Sequence, residues 1–217
     1  MNKIISAKEA AVHIKDGMTV MLGGFLGFGT ADEIVDLMCE NKVKDLTVIC
    51  NDTSFPDKNI GKLVVNKQVK KVIASHIGTN PETGRQMNEN EIQVDLVPQG
   101  TLAERIRSGG TGLGGVLTPT GVGTIVEEGK QKIVLNGKEY LLEEALRADV
   151  AVIKGAKADK MGNIVYKRAS KNFNPVMAMA ADIVIAEVDE IVEVGELDPD
   201  MIDTPNIFID YIVEGGK

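Results

Sequence analysis

Apolar and polar positions in this chain follow two periods in turn. From Ser6, residues Ala7, Ala10, Ala11 and Ile14 recur at helical spacing across 6–16, and Glu9 stands three residues beyond the serine, the arrangement of a capping box. Gly17 closes that segment. Residues 18–22, MTVML, read as a short buried strand, and they run straight into Gly23-Gly24-Phe25-Leu26-Gly27-Phe28-Gly29. Beyond the glycines, Thr30 is placed to cap a second helix with Ile34, Leu37 and Met38 on one face and Asp32 and Glu33 near its positive end. The resulting unit is strand, glycine loop, helix.

The rhythm repeats. Residues 46–50 read as a strand opening into Asn51-Asp52-Thr53-Ser54, 61–66 as a short helix, and 69–74 as a strand ending at Ser75-His76-Ile77-Gly78. Residues 91–97 alternate at period two, and Thr101 with Glu104 forms another capping box for a helix through Arg107. Segment 108–124, SGGTGLGGVLTPTGVGT, is too glycine-rich for a regular element and too well supplied with apolar anchors for a linker, so it reads as a functional loop. Asn136-Gly137 between two short runs signals a hairpin. Residues 150–154 and 183–187 are two further core strands, and Asn172-Phe173-Asn174-Pro175 opens a capped helix with a small-residue face. The run 207–213 reads as an edge strand or a partner contact.

No period of 20–50 residues repeats, which sets aside solenoids and propellers. The fold class expected is α/β: an open, mostly parallel sheet with helices on both faces, binding its ligand beyond the carboxyl ends of the strands. At 217 residues the chain fits one domain spanning 1–217. Composition supports a parallel sheet, because the 43% hydrophobic content holds only 4% aromatics and no Trp. Val, Ile, Leu, Met and Ala must fill the core. A formal charge of -8 repels a phosphate backbone, so nucleic acid is not an expected partner. Neither is a membrane, since no apolar run approaches the ~20 residues needed to span one. Without a signal-peptide pattern at the start, the expected location is the cytoplasm. Cys39 and Cys50 read as small core residues, and with His13 and His76 they make no zinc pattern.

Candidate chemistry gathers where strands end. Gly23, Gly24, Phe25, Gly27 and Gly29 stand between a strand and a helix, where backbone N–H groups can approach an anion, although no nucleotide fingerprint is spelled. A tight turn permitting close packing explains the same glycines. Asn51 and its neighbours leave a central strand, Asp52 being suited to cap the turn that follows. His76 occupies the equivalent place at the next strand, as an acid/base group, an orienting residue or a subunit contact. Gln99, after Pro98 and before Gly100, offers a neutral amide donor that can stabilise an oxyanion without titrating; a loop hydrogen bond is the alternative. Glu187, Asp189, Glu190, Glu193 and Glu196 read for the most part as a solvated acidic surface.

Taken together, DGMTVMLGGFLGFGT at 16–30, DLTVICNDT at 45–53, KVIASHIGTNPETGR at 71–85, LVPQGTLAERIRSGG at 96–110 and LTPTGVGT at 117–124 carry a resemblance. So do ADKMGNIVY at 158–166, NFNPVMAMAADI at 172–183 and EIVEVGELDPD at 190–200. The chain resembles the alpha subunits of acetate/acetoacetate (butyrate–acetoacetate) CoA-transferases, in the first CoA-transferase family, over nearly its whole length. That resemblance implies ping-pong transfer of CoA between short-chain acyl-CoA and carboxylates, through a glutamyl thioester formed on a beta subunit. CoA is then a substrate and no cofactor is permanently bound. The family's nucleophilic glutamate lies in a Ser-Glu-Asn-Gly segment that this sequence lacks. The glutamine of its Pro-Gln-Gly-Thr segment, associated with the oxyanion hole, maps onto Gln99, and its GGF loop onto Gly23, Gly24 and Phe25. Where the family commonly has proline after that loop, Ala31 stands here. Two other classes remain to be weighed against this one: a stand-alone enzyme of similar fold such as a sugar-phosphate isomerase, and a binding module without activity.

Overall fold

The computed structural model describes residues 2–215. The chain begins with α1 (Ala7–Ala11), β1 (Thr19–Leu22), α2 (Asp32–Glu40), β2 (Leu46–Asp52), α3 (Ile60–Val65) and β3 (Val69–His76). It continues through α4 (Pro81–Asn88), β4 (Gln93–Leu96), α5 (Gln99–Gly110), β5 (Gly115–Thr118), β6 (Lys132–Leu135) and β7 (Lys138–Glu144). The last elements are β8 (Ala148–Asp159), β9 (Ile164–Val165), α6 (Asn174–Ala178), β10 (Ala181–Val192) and β11 (Tyr211–Glu214). The main sheet has the order β11-β10-β8-β1-β2-β3-β4, every neighbouring pair parallel, with β9 added antiparallel to β8. The chain thus grows outward from β1 through β2, β3 and β4, then returns to the other side of β1 with β8. That reversal makes the β1/β8 boundary a topological switch point, where crevices open in sheets of this kind.

Side-chain alternation explains how the sheet is covered on both faces. Val20 and Leu22 of β1, Val48 and Cys50 of β2, Val72 and Ala74 of β3 and Val150 and Val152 of β8 pack in one core with Ile34, Val35 and Met38 of α2. The intervening residues Met21, Ile49, Ile73, Ala151 and Ile153 join Leu102 and Ile106 of α5 and Met177 of α6 in a second core. Period two along each strand therefore feeds two helical layers. Cys39 and Cys50 are free, Cys50 being wholly buried.

A second sheet, β5-β7-β6, is antiparallel and three-stranded. Its hairpin turns at Asn136 (φ 52) and Gly137 (φ 74), the conformation that the Asn-Gly pair favours. It is tied to α5 by polar contacts: Arg105 Nε donates to Glu144 O at 2.7 Å, and Arg105 also lies 3.7 Å from the buried Glu143 carboxylate, which pairs on its other side with Lys130 at 2.6 Å. Segment 108–124, expected as an irregular loop, lends residues 108–110 to the end of α5 and 115–118 to β5, while the rest of it is irregular.

Several boundaries differ from the sequence reading. The Ser6–Glu9 capping box is present, but α1 ends at Ala11, and His13 stacks on Tyr211 of β11 with ring centroids 4.4 Å apart. Strands β2, β8 and β10 run beyond the expected segments, and α4, capped by Asn80, was not anticipated. The helix expected from Thr101 starts instead at Gln99, because Leu102 N–H already bonds Pro98 O at 2.9 Å. Glu104 pairs with Arg107 and caps nothing.

Thr30 does not cap α2. Ala31 holds that position without a side-chain bond, and the cap comes from across the sheet. Glu187 of β10, only 3% exposed, accepts the Ile34 N–H at 3.1 Å and pairs through its other oxygen with Lys154 at 3.3 Å. Lys154 also reaches Asp189 at 2.8 Å. Glu187 therefore departs from the solvated surface expected for the acidic run. Burial raises its pKa above the ordinary 4.5, with Lys154 opposing the shift. Since the folded pKa is the higher one, the native state holds its proton longer than the unfolded chain does. Stability carried by Glu187 must then fall as pH rises from about 4.5 through the folded pKa. In urea unfolding across this window, the stability of wild type relative to Glu187→Gln should decline with rising pH; a rise would contradict the assignment.

Candidate active site

Strand β1 ends after four residues, and the glycine loop turns over its end. Gly23 N–H bonds Val152 O of β8 at 3.0 Å, extending the ladder by one link. Phe25 and Phe28 then exchange backbone hydrogen bonds at 3.0 and 2.9 Å around Leu26 (φ 48) and Gly27 (φ 86). This is a two-residue hairpin with both central residues in the left-handed region, where glycine is the ordinary choice and leucine is not. Phe25 and Phe28 are left exposed, at 42% and 68%.

Two asparagines clamp the loop from the segment before α6. Asn172 accepts the Gly24 N–H at 3.1 Å and donates to Phe28 O at 3.0 Å. Asn174, wholly buried, donates to Gly29 O at 3.0 Å and accepts the Lys154 N–H at 3.0 Å. A Cβ on Gly23 would lie 1.8 Å from Asn174 Oδ1, so only glycine admits this clamp. The sequence pattern had suggested that these asparagines open a helix. In the structure α6 has no side-chain cap, and both amides serve the loop.

The second half of the site lies at the ends of β2, β3 and β4. Gln99, exposed in the first turn of α5, donates from Nε2 to Asn51 Oδ1 at 2.7 Å. Ser75 Oγ, with one proton to give, lies within donating distance of both that Oδ1, at 3.0 Å, and Asn51 O, at 2.8 Å. Asn51 Nδ2 in turn donates to Asp52 Oδ2 at 2.7 Å, and both residues are buried. Asp52 caps its own turn as the sequence suggested, accepting the Ser54 N–H at 2.8 Å, and also accepts the Leu26 N–H of the glycine loop at 2.9 Å. Gln99, Asn51 and the loop thus form one connected set. His76 sits on the same edge, paired with Asp52 in the β2–β3 ladder, but its exposed ring lies against Gly78 and forms no link to that set.

Beside Gln99 a cleft of about 520 Å³ opens between α5 and β5, its walls formed by residues within 98–104 and 116–120 and including a single charged side chain, Glu104, which is paired with Arg107. The Gly-rich segment contributes its β5 strand here. Chemically, the edge offers the neutral Gln99 amide and the backbone N–H groups of the first turn of α5, suited to holding developing negative charge on oxygen. Burial pushes the Cys50 thiol up, which removes it as a nucleophile. Among the described residues no three His, Cys, Asp or Glu side chains are grouped to hold a metal ion, and no helix is long and apolar enough to cross a membrane.

Residues 4–215 match the family model for coenzyme A transferase. The chain is 57% identical over 211 residues to the acetate CoA-transferase subunit alpha of Escherichia coli K12, covering 97% of this chain and 96% of that one. It is 54% identical over 213 residues to the acetoacetyl-CoA:acetate/butyrate CoA transferase alpha subunit of Clostridium acetobutylicum, covering 98% of each. Among solved structures, an acyl-CoA transferase from Escherichia coli O157:H7, in a thioester complex with CoA, superposes with a TM-score of 0.87 at 23% identity. The match takes in 98% of this chain and 47% of that chain, so the present chain spans about half of that polypeptide. Glutaconate coenzyme A-transferase from Acidaminococcus fermentans gives 0.86 at 18% identity, over 97% of this chain and 75% of that one. The sheet order, the glycine loop at its switch point and these matches lead to one assignment: the chain belongs to the coenzyme A transferase family, on the branch of its alpha subunits.

Proposed function

We propose that residues 1–217 form one domain, the alpha subunit of a heteromeric CoA-transferase that moves CoA between short-chain acyl-CoA and a carboxylate such as acetate or acetoacetate. The observation that carries this reading is the Gln99 amide, anchored on Asn51 and standing open at the carboxyl edge of the sheet. Support comes from two alpha subunits more than half identical to this chain, one named for acetate and one for acetoacetyl-CoA with acetate or butyrate.

In this reading a glutamate of the beta subunit attacks the thioester carbonyl of acyl-CoA. The C–S bond breaks, giving an acyl-glutamyl anhydride and CoA thiolate. The thiolate then attacks the glutamyl carbonyl, releasing the first carboxylate and leaving the glutamyl thioester, which a second carboxylate resolves by the reverse sequence. Splitting one exchange into balanced acyl steps is the benefit of covalent catalysis. Each step places negative charge on a carbonyl oxygen. Gln99 donates to that oxygen, and, being neutral, it does so at any pH at which the thiolate and carboxylates are charged. Phe25, Gly27 and Gly29 of the loop and the exposed His76 are assigned to the side that meets CoA, with the buried Gly23, Gly24 and Asn51 supporting them from behind. No permanent cofactor is required.

A stand-alone isomerase would need its own acid/base pair, and a binding module would need no partner to act. Mixing separates them. The chain purified free of any beta subunit should catalyse no CoA exchange, and activity should appear on adding a CoA-transferase beta subunit; exchange by the lone chain would refute the proposal. In the assembled complex, Gln99→Ala should lower turnover roughly ten- to a thousand-fold, the range for losing an oxyanion donor. Near-normal turnover in an intact complex would remove Gln99 from the mechanism.

A further inference from the structure

Asp52 is buried behind the cleft, yet it is hydrogen-bonded to both halves of the site. A turn-capping role accounts for Oδ1, which accepts the Ser54 N–H at 2.8 Å. It does not account for Oδ2, which accepts both the Asn51 Nδ2–H at 2.7 Å and the Leu26 N–H at 2.9 Å. A carboxylate offers acceptors alone. Asn51 must therefore turn its NH2 group toward Asp52 and its Oδ1 the other way. There Oδ1 meets two donors, Ser75 Oγ at 3.0 Å and Gln99 Nε2 at 2.7 Å. Because Asn51 presents an oxygen, Gln99 must answer with its amino group and not its carbonyl. One N–H is engaged by Asn51, and the second is left as a donor for the cleft. Reversing the first amide would reverse the second.

We propose that Asp52 is a positioning residue: it sets the amide order of Asn51 and Gln99 and, through the Leu26 N–H, holds the glycine loop in register with them. Its effect on catalysis rests on the role proposed for Gln99; the relay of hydrogen bonds does not. Asn51 and Asp52 are both largely shielded from water, so a mismatched donor pair there cannot be relieved by solvent as it would be at the surface.

Asp52→Asn keeps the side-chain shape and an oxygen for Ser54, but sets an NH2 group against Asn51 and Leu26. In the complex with the beta subunit, kcat per assembled complex should fall about 10- to 100-fold, the scale for residues that orient a reacting group through a hydrogen bond. The ratio kcat/KM should fall with it, KM staying within about twofold. Combining Asp52→Asn with Gln99→Ala should cost clearly less than the product of the two single losses, since the part of Asp52's effect that runs through Asn51 is already gone with Gln99, leaving only its hold on the Leu26 N–H. Independent, multiplicative losses would overturn the proposal. So would Gln99→Ala at full turnover, which retires the catalytic role of Gln99 and reduces the relay to a structural tie. Amide NMR of the free full-length chain tests the relay without any assay: Asp52→Asn should shift the side-chain NH2 signals of Asn51 and Gln99 and the Leu26 amide. An unmoved Gln99 signal would sink the relay even if the reading of the function stands. Should Asp52→Asn not fold, Asn51→Ala cuts the same connection and must show the same lack of additivity with Gln99→Ala; additive losses there would equally overturn it.

Discussion

Parallel pairing of a four-residue strand between two longer ones is the constraint on which the site depends. β1 stops at Leu22, whereas β2 continues to Asp52 and β8 to Asp159. A short strand in the middle of a parallel sheet leaves a notch at the carboxyl edge, and the backbone groups bordering it need partners that the ladder no longer supplies. The glycine loop fills the notch. Gly23 carries one more ladder bond to Val152, and Asn174 takes the Lys154 N–H that β1 would have faced had it continued.

Buried amides and carboxylates therefore do at this edge what strand pairing does elsewhere. Asn174, Asn172 and Asp52 each make at least two hydrogen bonds to backbone, and Asn51 is bonded to the side chains of Asp52, Ser75 and Gln99. An unsatisfied buried polar group costs roughly 1–3 kcal/mol, so each of these side chains is needed where it stands. Satisfied networks also restrict geometry, because every amide has one allowed orientation once its neighbours are set. Rigidity at the site follows from hydrogen-bond accounting at the end of one strand.

Much of this was legible in the sequence, and the reasons differ by feature. Strand cores were visible as apolar runs because both faces of the parallel sheet are buried, and the Asn136-Gly137 turn was visible because its φ values favour those residues. The glycine loop and Gln99 could be singled out from their places after strands. Their partners could not. Asn172 lies 148 residues from Gly24, and Glu187 lies 153 from Ile34. Local spacing predicts local caps, so it assigned Thr30 to α2, Thr101 to α5 and the 172–174 asparagines to α6. In each case a tertiary contact or an earlier backbone bond had taken the place of the side-chain cap. The helix α4 escaped because its buried residues are Thr83 and Gln86, which leave no apolar stripe to read.

A neutral donor set has a consequence for how catalysis can be divided between chains. If the attacking carboxylate belonged to this polypeptide, it would have to be desolvated close to the buried Asp52, and two like charges in one poorly solvated edge disfavour one another. Supplying the nucleophile from a second subunit avoids that conflict: Asp52 and Glu187 stay occupied with backbone N–H groups, Asn51 and Lys154, while the exposed Gln99 amide is uncharged. The exposed Phe25 and Phe28 at the tip of the loop are consistent with the same division, because an apolar rim beside neutral donors excludes water from a carboxylate arriving from outside. On this reasoning the alpha chain contributes an environment prepared before any charge enters it.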